Sequence, residues 1–383
     1  NQFEVNEGDP YNEILINKSI NNLKSLNFFQ NVEQEIIDDS KNMSKIINIY
    51  VEEKPTGEIS AQAGVGTDGG SLGFGVKENN FLGKGVNFNL STTITEETLK
   101  GQFYVNNPNF NNSDKAVYVG LDAIEIDRST EFGYKTNKTG FTAGTKFEYL
   151  DDLKFGIGFS NFYEKIKTDG SASALQKTQD GNYWDSFLKL DFDFDKRNQK
   201  YKTSEGFRSN YSLDLPLLSD TNTLINSYQY DHYTELFENN ISNASILLLS
   251  ANSISNDNIK LSERLFIPGK KLRGFERGKI GPKDGSDYIG GNFAAAANFS
   301  STLPQLLGNL EEVDFVFFID AANVWGVDYN SSLDDMGEFR SSIGLGVDWL
   351  TAVGPFSFTF AHPITKEDTD ITESFRFNLG TTF

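Results

Sequence analysis

From Glu58 to the end of the chain, apolar and polar residues alternate with a period of two, and this alternation limits the fold more than any other feature. In WDSFLKLDFDFD, Trp184, Ser186, Leu188, Leu190, Phe192 and Phe194 share one face of an extended strand. Asp185, Phe187, Lys189, Asp191, Asp193 and Asp195 share the other. FRSNYSLDL splits in the same way, with Phe207, Ser209, Tyr211, Leu213 and Leu215 set against Arg208, Asn210, Ser212 and Asp214. FRSSIGLGVDWL sets Phe339, Ser341, Ile343, Leu345, Val347 and Trp349 against Arg340, Ser342, Gly344, Gly346, Asp348 and Leu350. Helices repeat every 3.6 residues and strands every two, so these runs are strands. The spacing predicts sixteen of them, at 58–66, 70–78, 85–95, 98–105, 115–128, 138–149, 152–165, 184–195, 206–215, 222–235, 241–253, 289–302, 313–324, 339–350, 355–363 and 373–383.

What the apolar face touches decides the architecture. In a soluble sandwich it meets a second sheet. In a membrane barrel it meets lipid, and the polar face lines a wet lumen. Several of the runs have the roughly 9–11 residues that a tilted strand needs to cross a bilayer. An even strand number, and connections reading as short on one rim and long on the other, favour the barrel, whose closure removes the sheet edges. The expected fold is therefore all-β and transmembrane, a 16-stranded antiparallel outer-membrane barrel over residues 55–383.

Composition narrows the function. Only 38% of residues are apolar, and no run approaches the eighteen or so apolar residues of a membrane helix. There is no Cys, which removes disulfides, thiolate metal sites and thiol catalysis, and only His232 and His362 could supply imidazole. A formal charge of −20 argues against nucleic acid as a partner. Asp151-Asp152 and Asp191/Asp193 read as solvated turn and lumen carboxylates rather than acid/base or metal pairs. His362-Pro363 follows a predicted strand, Ser204-Glu205 has no triad order, and GVGTDGGSLGFG lacks the Lys and following helix of a P-loop. No enzyme activity, metal or other cofactor is expected.

Residues 1–54 have a different texture. Ile14, Leu15, Ile20, Leu23 and Leu26 form a helical stripe, and NVEQEII and KIINIYVEE read as a hairpin. One helix and a hairpin bury too little to stand alone, and the first residue is Asn1. The expectation is half of a small α/β module, belonging to a processed or truncated piece.

The basic stretch KKLRGFERGKIGP, 270–282, stands out in so acidic a chain. Two readings are open: a mobile surface loop that offsets an acidic rim, or a loop folded into the lumen. The chain end, with Phe375, Phe377, Leu379, Thr381 and Phe383 on one face, reads as an anchored last strand or as a sorting signal; both can hold.

Several stretches, in order, resemble the BamA family of outer-membrane barrel-assembly proteins. They are LNFFQNVE and VEEKPTG, NNFLGKG (79–85), LRGF (272–275), FFIDAANVW (317–325), RSSIGLGVDWLTAVGPFSFTFAHPI (340–364) and FRFNLGTTF. The resemblance implies that residues 1–54 are the C-terminal part of the last periplasmic POTRA module. It implies that 254–288 is a sixth loop inserted into the barrel, where Arg273, Gly274 and Phe275 form a clamp with Asp320. Asn298 stands where relatives carry an acidic residue, so the arginine is expected to rely on Asp320. The resemblance further implies a lateral seam between the first and last strands, carried by Gly64, Gly66, Phe375, Phe377, Leu379 and Phe383. The implied activity is folding and inserting outer-membrane proteins; the rival is a related POTRA-barrel secretion pore or translocation assembly factor. Implied partners are nascent outer-membrane proteins, periplasmic chaperones and assembly lipoproteins reached through POTRA modules, and membrane lipids.

Overall fold

The computed structural model describes all residues except 1–2, 41, 201–202, 238–239, 256, 304–312, 334–336, 352–353 and 381–383. Helix α1 (Glu13–Ser25) starts where the Asn12 side chain accepts hydrogen bonds from the Ile14 and Leu15 N–H groups, at 3.0 and 3.3 Å. Glu13 in its first turn and Lys24 in its last suit the helix dipole, and Ile16, Ser19 and Ile20 form its buried side. Strands β1 (Phe29–Asp39) and β2 (Ser44–Glu53) follow as an antiparallel hairpin.

Then come β3 (Gly57–Gly66), β4 (Gly69–Phe81), β5 (Val86–Thr95), β6 (Thr98–Asn107), β7 (Ala116–Arg128), β8 (Tyr134–Leu150), β9 (Leu153–Thr168) and β10 (Gly181–Asp195). The circuit continues with β11 (Gly206–Pro216), β12 (Thr223–Thr234) and β13 (Ser242–Ser253). A long sixth connection, 254–292, holds the two-residue strands β14 (Lys283–Asp284) and β15 (Asp287–Tyr288). Strands β16 (Phe293–Leu303), β17 (Val313–Trp325), β18 (Arg340–Thr351), β19 (Gly354–Thr365) and β20 (Phe375–Gly380) complete it. Each of these strands except β14 and β15 pairs antiparallel with its neighbours, and β20 pairs with β3, which closes a barrel of sixteen.

The period of two becomes inside and outside. Ile59, Leu72, Phe74, Leu121, Phe141, Phe159, Trp184, Phe192, Leu248, Ile319, Leu345 and Phe360 are large apolar side chains left exposed on the outer wall. Cross-strand rings, including Phe88 with Phe103, Phe155 with Phe192 and Trp349 with Phe356, gird the rim where β3 begins. The inner wall pairs its charges: Lys146 with Asp191 at 2.8 Å, Arg208 with Asp193 at 2.8 Å and Lys189 with Asp214 at 2.6 Å.

Several expectations change. The strand expected at 289–302 begins at Phe293, those expected at 138–149 and 184–195 begin earlier, at Tyr134 and Gly181, and that expected to end at 165 runs to Thr168. Strand β20 starts at Phe375 rather than 373, and Phe383 lies outside the described residues. His362-Pro363 lies within β19, not after a strand; the register shifts beside the Ser342–Pro363 pair, where a missing N–H is tolerated. The short and long connections do not divide cleanly between the rims. The far rim carries the long sixth loop but also tight turns at 67–68 and 96–97, and that loop reaches over the second turn, Arg277 Nη2 donating to Glu97 Oε2 at 2.9 Å.

Candidate functional site

The sixth loop folds into the barrel. Its apolar residues Ile267, Leu272, Phe275 and Ile280 form one buried cluster with Leu247 of β13, Ala294 and Ala296 of β16, and Ala322 and Val324 of β17. The alanines of NFAAAANF thus have a structural reason: methyl groups on the inner wall leave a recess for the larger loop side chains. Phe275 is only 2% exposed.

Below this cluster Arg273 meets Asp320. The guanidinium donates to both carboxylate oxygens, Nε to Oδ2 and Nη2 to Oδ1, each at 2.8 Å. The Arg273 N–H adds a bond to Oδ2 at 3.0 Å, and Asn298 Nδ2 donates to Oδ1 at 2.9 Å. Asp320 is fully buried, and Arg273 also lies 3.5 Å over the Phe318 ring. A planar fork suits both contacts in a way that an ammonium cannot. Asn298 therefore braces the pair, its amide bridging Asp320 and the Lys271 carbonyl, the latter at 2.8 Å. Gly274 has φ of +92°, and a Cβ there would come within 3.2 Å of Ala361 and Ser342 on the wall.

Charged groups that the sequence reading missed fix the rest of the loop. Lys260, 2% exposed, faces Glu164 of β9 at 3.2 Å, Glu263 at 3.3 Å and Asp185 of β10. Burial alone would lower its pKa, but Glu263, Glu164 and Asp185 together hold it above the usual lysine range. Burial pushes the Glu263 carboxyl up, against the opposing pull of Lys260 and the Thr223 hydroxyl. Arg340 of β18, fully buried, pairs with Glu367 at 2.8 Å and Asp370 at 3.0 Å in the connection before β20. The acidic run TKEDTD next to a strand beginning with Arg was the available signal for that cluster. Lys260 had none, because Asp185 and Glu164 lie 75 and 96 residues away in sequence.

The sixth loop also grips the chain just before the last strand. Glu276 N–H donates to the Ile371 carbonyl at 3.0 Å, Ile371 N–H to Lys279 at 3.2 Å and Glu373 N–H to Gly274 at 3.0 Å. Phe275 and Thr372 form a β-bridge, and Arg376 binds Glu373 at 2.6 Å.

Among the described residues, strands β20 and β3 meet at Asn378 with Gly66, Leu379 with Val65 and Gly380 with Gly64. Thr67 extends the seam slightly, its N–H donating to the Phe377 carbonyl at 3.0 Å and its hydroxyl accepting from the Phe377 N–H at 2.9 Å. Gly66 takes part because a Cβ there would fall 2.7 Å from the Phe377 carbonyl. Phe375 and Phe377 stack with each other, at 6.2 Å, and Phe375 lies tilted against Phe360 at 5.0 Å. The seam residues Gly64, Gly66, Phe377 and Leu379 thus meet at one place. Arg273, Gly274, Phe275 and Asp320 meet at another, joined to the first through 371–376.

Comparison with known proteins agrees with this architecture. The chain is 23% identical over 392 residues to the outer membrane protein assembly factor BamA of Neorickettsia risticii (strain Illinois), covering 99% of this chain and 52% of that protein. It is 24% identical over 441 residues to BamA of Neisseria meningitidis serogroup B, covering 98% and 53%. The chain thus spans about half the length of the curated relatives it matches. The crystal structure of BamA from Haemophilus ducreyi lacking POTRA domains 1-3 superposes with a TM-score of 0.89 at 22% identity, over 100% of this chain and 81% of that one. CdiB from Acinetobacter baumannii gives 0.57 at 12% identity, over 99% and 70%. The Omp85 superfamily domain matches residues 80–383, and the chain belongs to that superfamily.

Proposed function

We propose that this chain is the barrel-bearing part of an outer-membrane protein insertase, and that client strands enter through the seam between β20 and β3. The observation that carries the reading is the glycine-bearing seam: Gly66 and Gly64 of β3 face Asn378 and Gly380 of β20, so the joint has little side-chain packing across it. Opening it would part strands held by little side-chain packing and would expose the edge of β3, on which a client's strand could pair by β-augmentation. Main-chain pairing demands no particular client sequence, which suits a machine with many substrates. No covalent step is needed, so the proposed activity uses no catalytic residue and no cofactor.

In this reading the Arg273–Asp320 clamp holds the sixth loop, and the loop's bridge to 371–373 sets the position of the last strand. Residues 1–54 are the C-terminal part of a POTRA module in the periplasm, supported by the helix and hairpin of 13–53. Nascent outer-membrane proteins are the clients, and periplasmic chaperones and assembly lipoproteins would dock on POTRA modules. The exposed apolar outer wall supports contact with membrane lipid and a place in the outer membrane.

The test uses the absence of cysteine. Val65→Cys and Leu379→Cys, opposite each other in register, are introduced into the full-length protein, and assembly of a client barrel is followed before and after reductant. The expected result is assembly that stalls when the seam is crosslinked and recovers on reduction. Undiminished assembly through a fully crosslinked seam would overturn the reading in favour of a closed conduit of the secretion-pore type.

A further inference from the structure

The outer wall carries two cations that the insertase reading does not use. Lys165 and Lys167 lie on β9 near the far rim; both are exposed, and among the described residues neither has a carboxylate at ion-pair distance. Their parity is that of Ile157, Phe159 and Tyr163, the exposed outward row of the same strand, while the buried Glu164, Ile166 and Thr168 point inward. The other charges at this height are already engaged. Lys135, directly opposite Lys167, pairs with Glu125 at 2.5 Å and Asp127 at 3.5 Å. Lys138 sits 4.4 Å over the Phe162 ring. Asp180, at the start of β10, accepts a hydrogen bond from the Thr168 N–H at 2.5 Å.

Immediately below the two lysines, Tyr163 pairs across the strands with Trp184, and both rings are about half exposed. Paired Tyr and Trp rings on the outside of a barrel mark the level where acyl chains give way to headgroups. Each residue advances roughly 3.3 Å along a strand, so Lys165 and Lys167 stand about 7 and 13 Å beyond Tyr163, less in height once the strand tilts. The interfacial layer is on the order of 5–7 Å thick on each side, and lysine side chains can lean into it. The exposed amides of Asn137 and Asn182 flank Lys165 on both neighbouring strands, Asn137 also reaching Glu125 Oε2 at 3.5 Å.

We propose that Lys165 and Lys167, with Asn137 and Asn182 beside them and the Tyr163–Trp184 pair beneath, bind the phosphate of an anionic lipid headgroup in the leaflet at the far rim. This rests on the membrane-barrel reading. The charge argument favours lipid: a chain of net charge −20 is repelled by an anionic leaflet, and unpaired cations at headgroup height would offset that repulsion locally. The lysines share one face two residues apart, about 7 Å between Cα atoms, a spacing one phosphate can bridge.

The full-length protein would be folded into phosphatidylcholine vesicles containing a minor fraction of phosphatidylglycerol, extracted gently, and its bound lipid counted by native mass spectrometry. Wild type should retain phosphatidylglycerol in preference to phosphatidylcholine. Lys165→Gln with Lys167→Gln should cut that retention roughly 25-fold, from about fivefold per lysine near a membrane surface, while Lys135→Gln changes it little. Equal retention by wild type and the double variant, or displacement of the lipid by inorganic phosphate, would overturn the assignment. Heat-shifted mobility on gels separates the two levels: a chain that never folds into vesicles defeats the membrane reading itself, whereas a folded barrel without lipid preference defeats only this site.

Discussion

Asp320 accepts hydrogen bonds from the Arg273 side chain, the Arg273 main chain and Asn298, and sees no solvent. Arg273→Ala would leave that carboxylate buried with two of its four bonds. We expect a loss of about 3 kcal/mol, at the lower end for a broken buried pair because Arg273 is itself 20% exposed. The heat-modified gel shift of the folded barrel would measure it, and an unchanged midpoint would reject the clamp. A second residue-scale prediction concerns pH. Burial raises the Glu263 carboxyl above the ordinary range, so the folded loop holds that proton more tightly than the unfolded chain does. The stability this contributes is complete below the unfolded pKa and is lost as pH rises through the folded one. Protease resistance of loop 254–292 should therefore fall as pH rises from the ordinary carboxylate value of about 4.3, and Glu263→Gln should flatten that trend. The Arg273–Asp320 contact was legible only through the family resemblance of LRGF and FFIDAANVW, because the basic residues by themselves fit a surface loop equally well. The Lys260 cluster was not, because three carboxylates on two strands and a turn converge only once the barrel has closed.

At the scale of elements, the sixteen strands were legible throughout, since lipid outside and water inside write one alternation along every strand. Trp184 and Leu345 outside, with Asp193 and Ser342 inside, follow it, and the inward Leu247 and Phe318 depart from it where the sixth loop covers the wall. The register of the seam, Leu379 opposite Val65, was not legible. Gly64 and Gly66 announce a weak strand, but which residues of β20 they face depends on the register accumulated around the whole ring. The recess in β16 offers an element-scale prediction. Ala296→Leu would fill space that the sixth loop's apolar cluster occupies and should cost about 1–3 kcal/mol as overpacking. The cost should fall on the loop and not on the β16 ladder. Limited proteolysis would then cleave 254–292 faster while the barrel keeps its heat-shifted mobility. Cleavage at the wild-type rate would mean that the alanines do not seat the loop.

For the whole molecule, height varies around the wall. Strands β8 to β10 are the long side, and β3, β5 and β6 beside the seam are short. A bilayer fitted to the long side is too thick for the short one, and mismatch is relieved by local thinning. Folding of this barrel into vesicles should therefore be faster in short-chain than in long-chain phosphatidylcholine, and client insertion should follow the same order; rates independent of chain length would count against thinning at the seam. The bridge between the sixth loop and 371–373 has a mechanical consequence. A tensile load on β20 meets its ladders with β19 and β3 first. Once they peel, the load passes through Arg376 and Glu373 to the sixth loop and the buried clamp at Asp320. The terminal strand can yield while the ring behind it stays anchored, so the molecule behaves as a hinge with a stop rather than a ring that unravels.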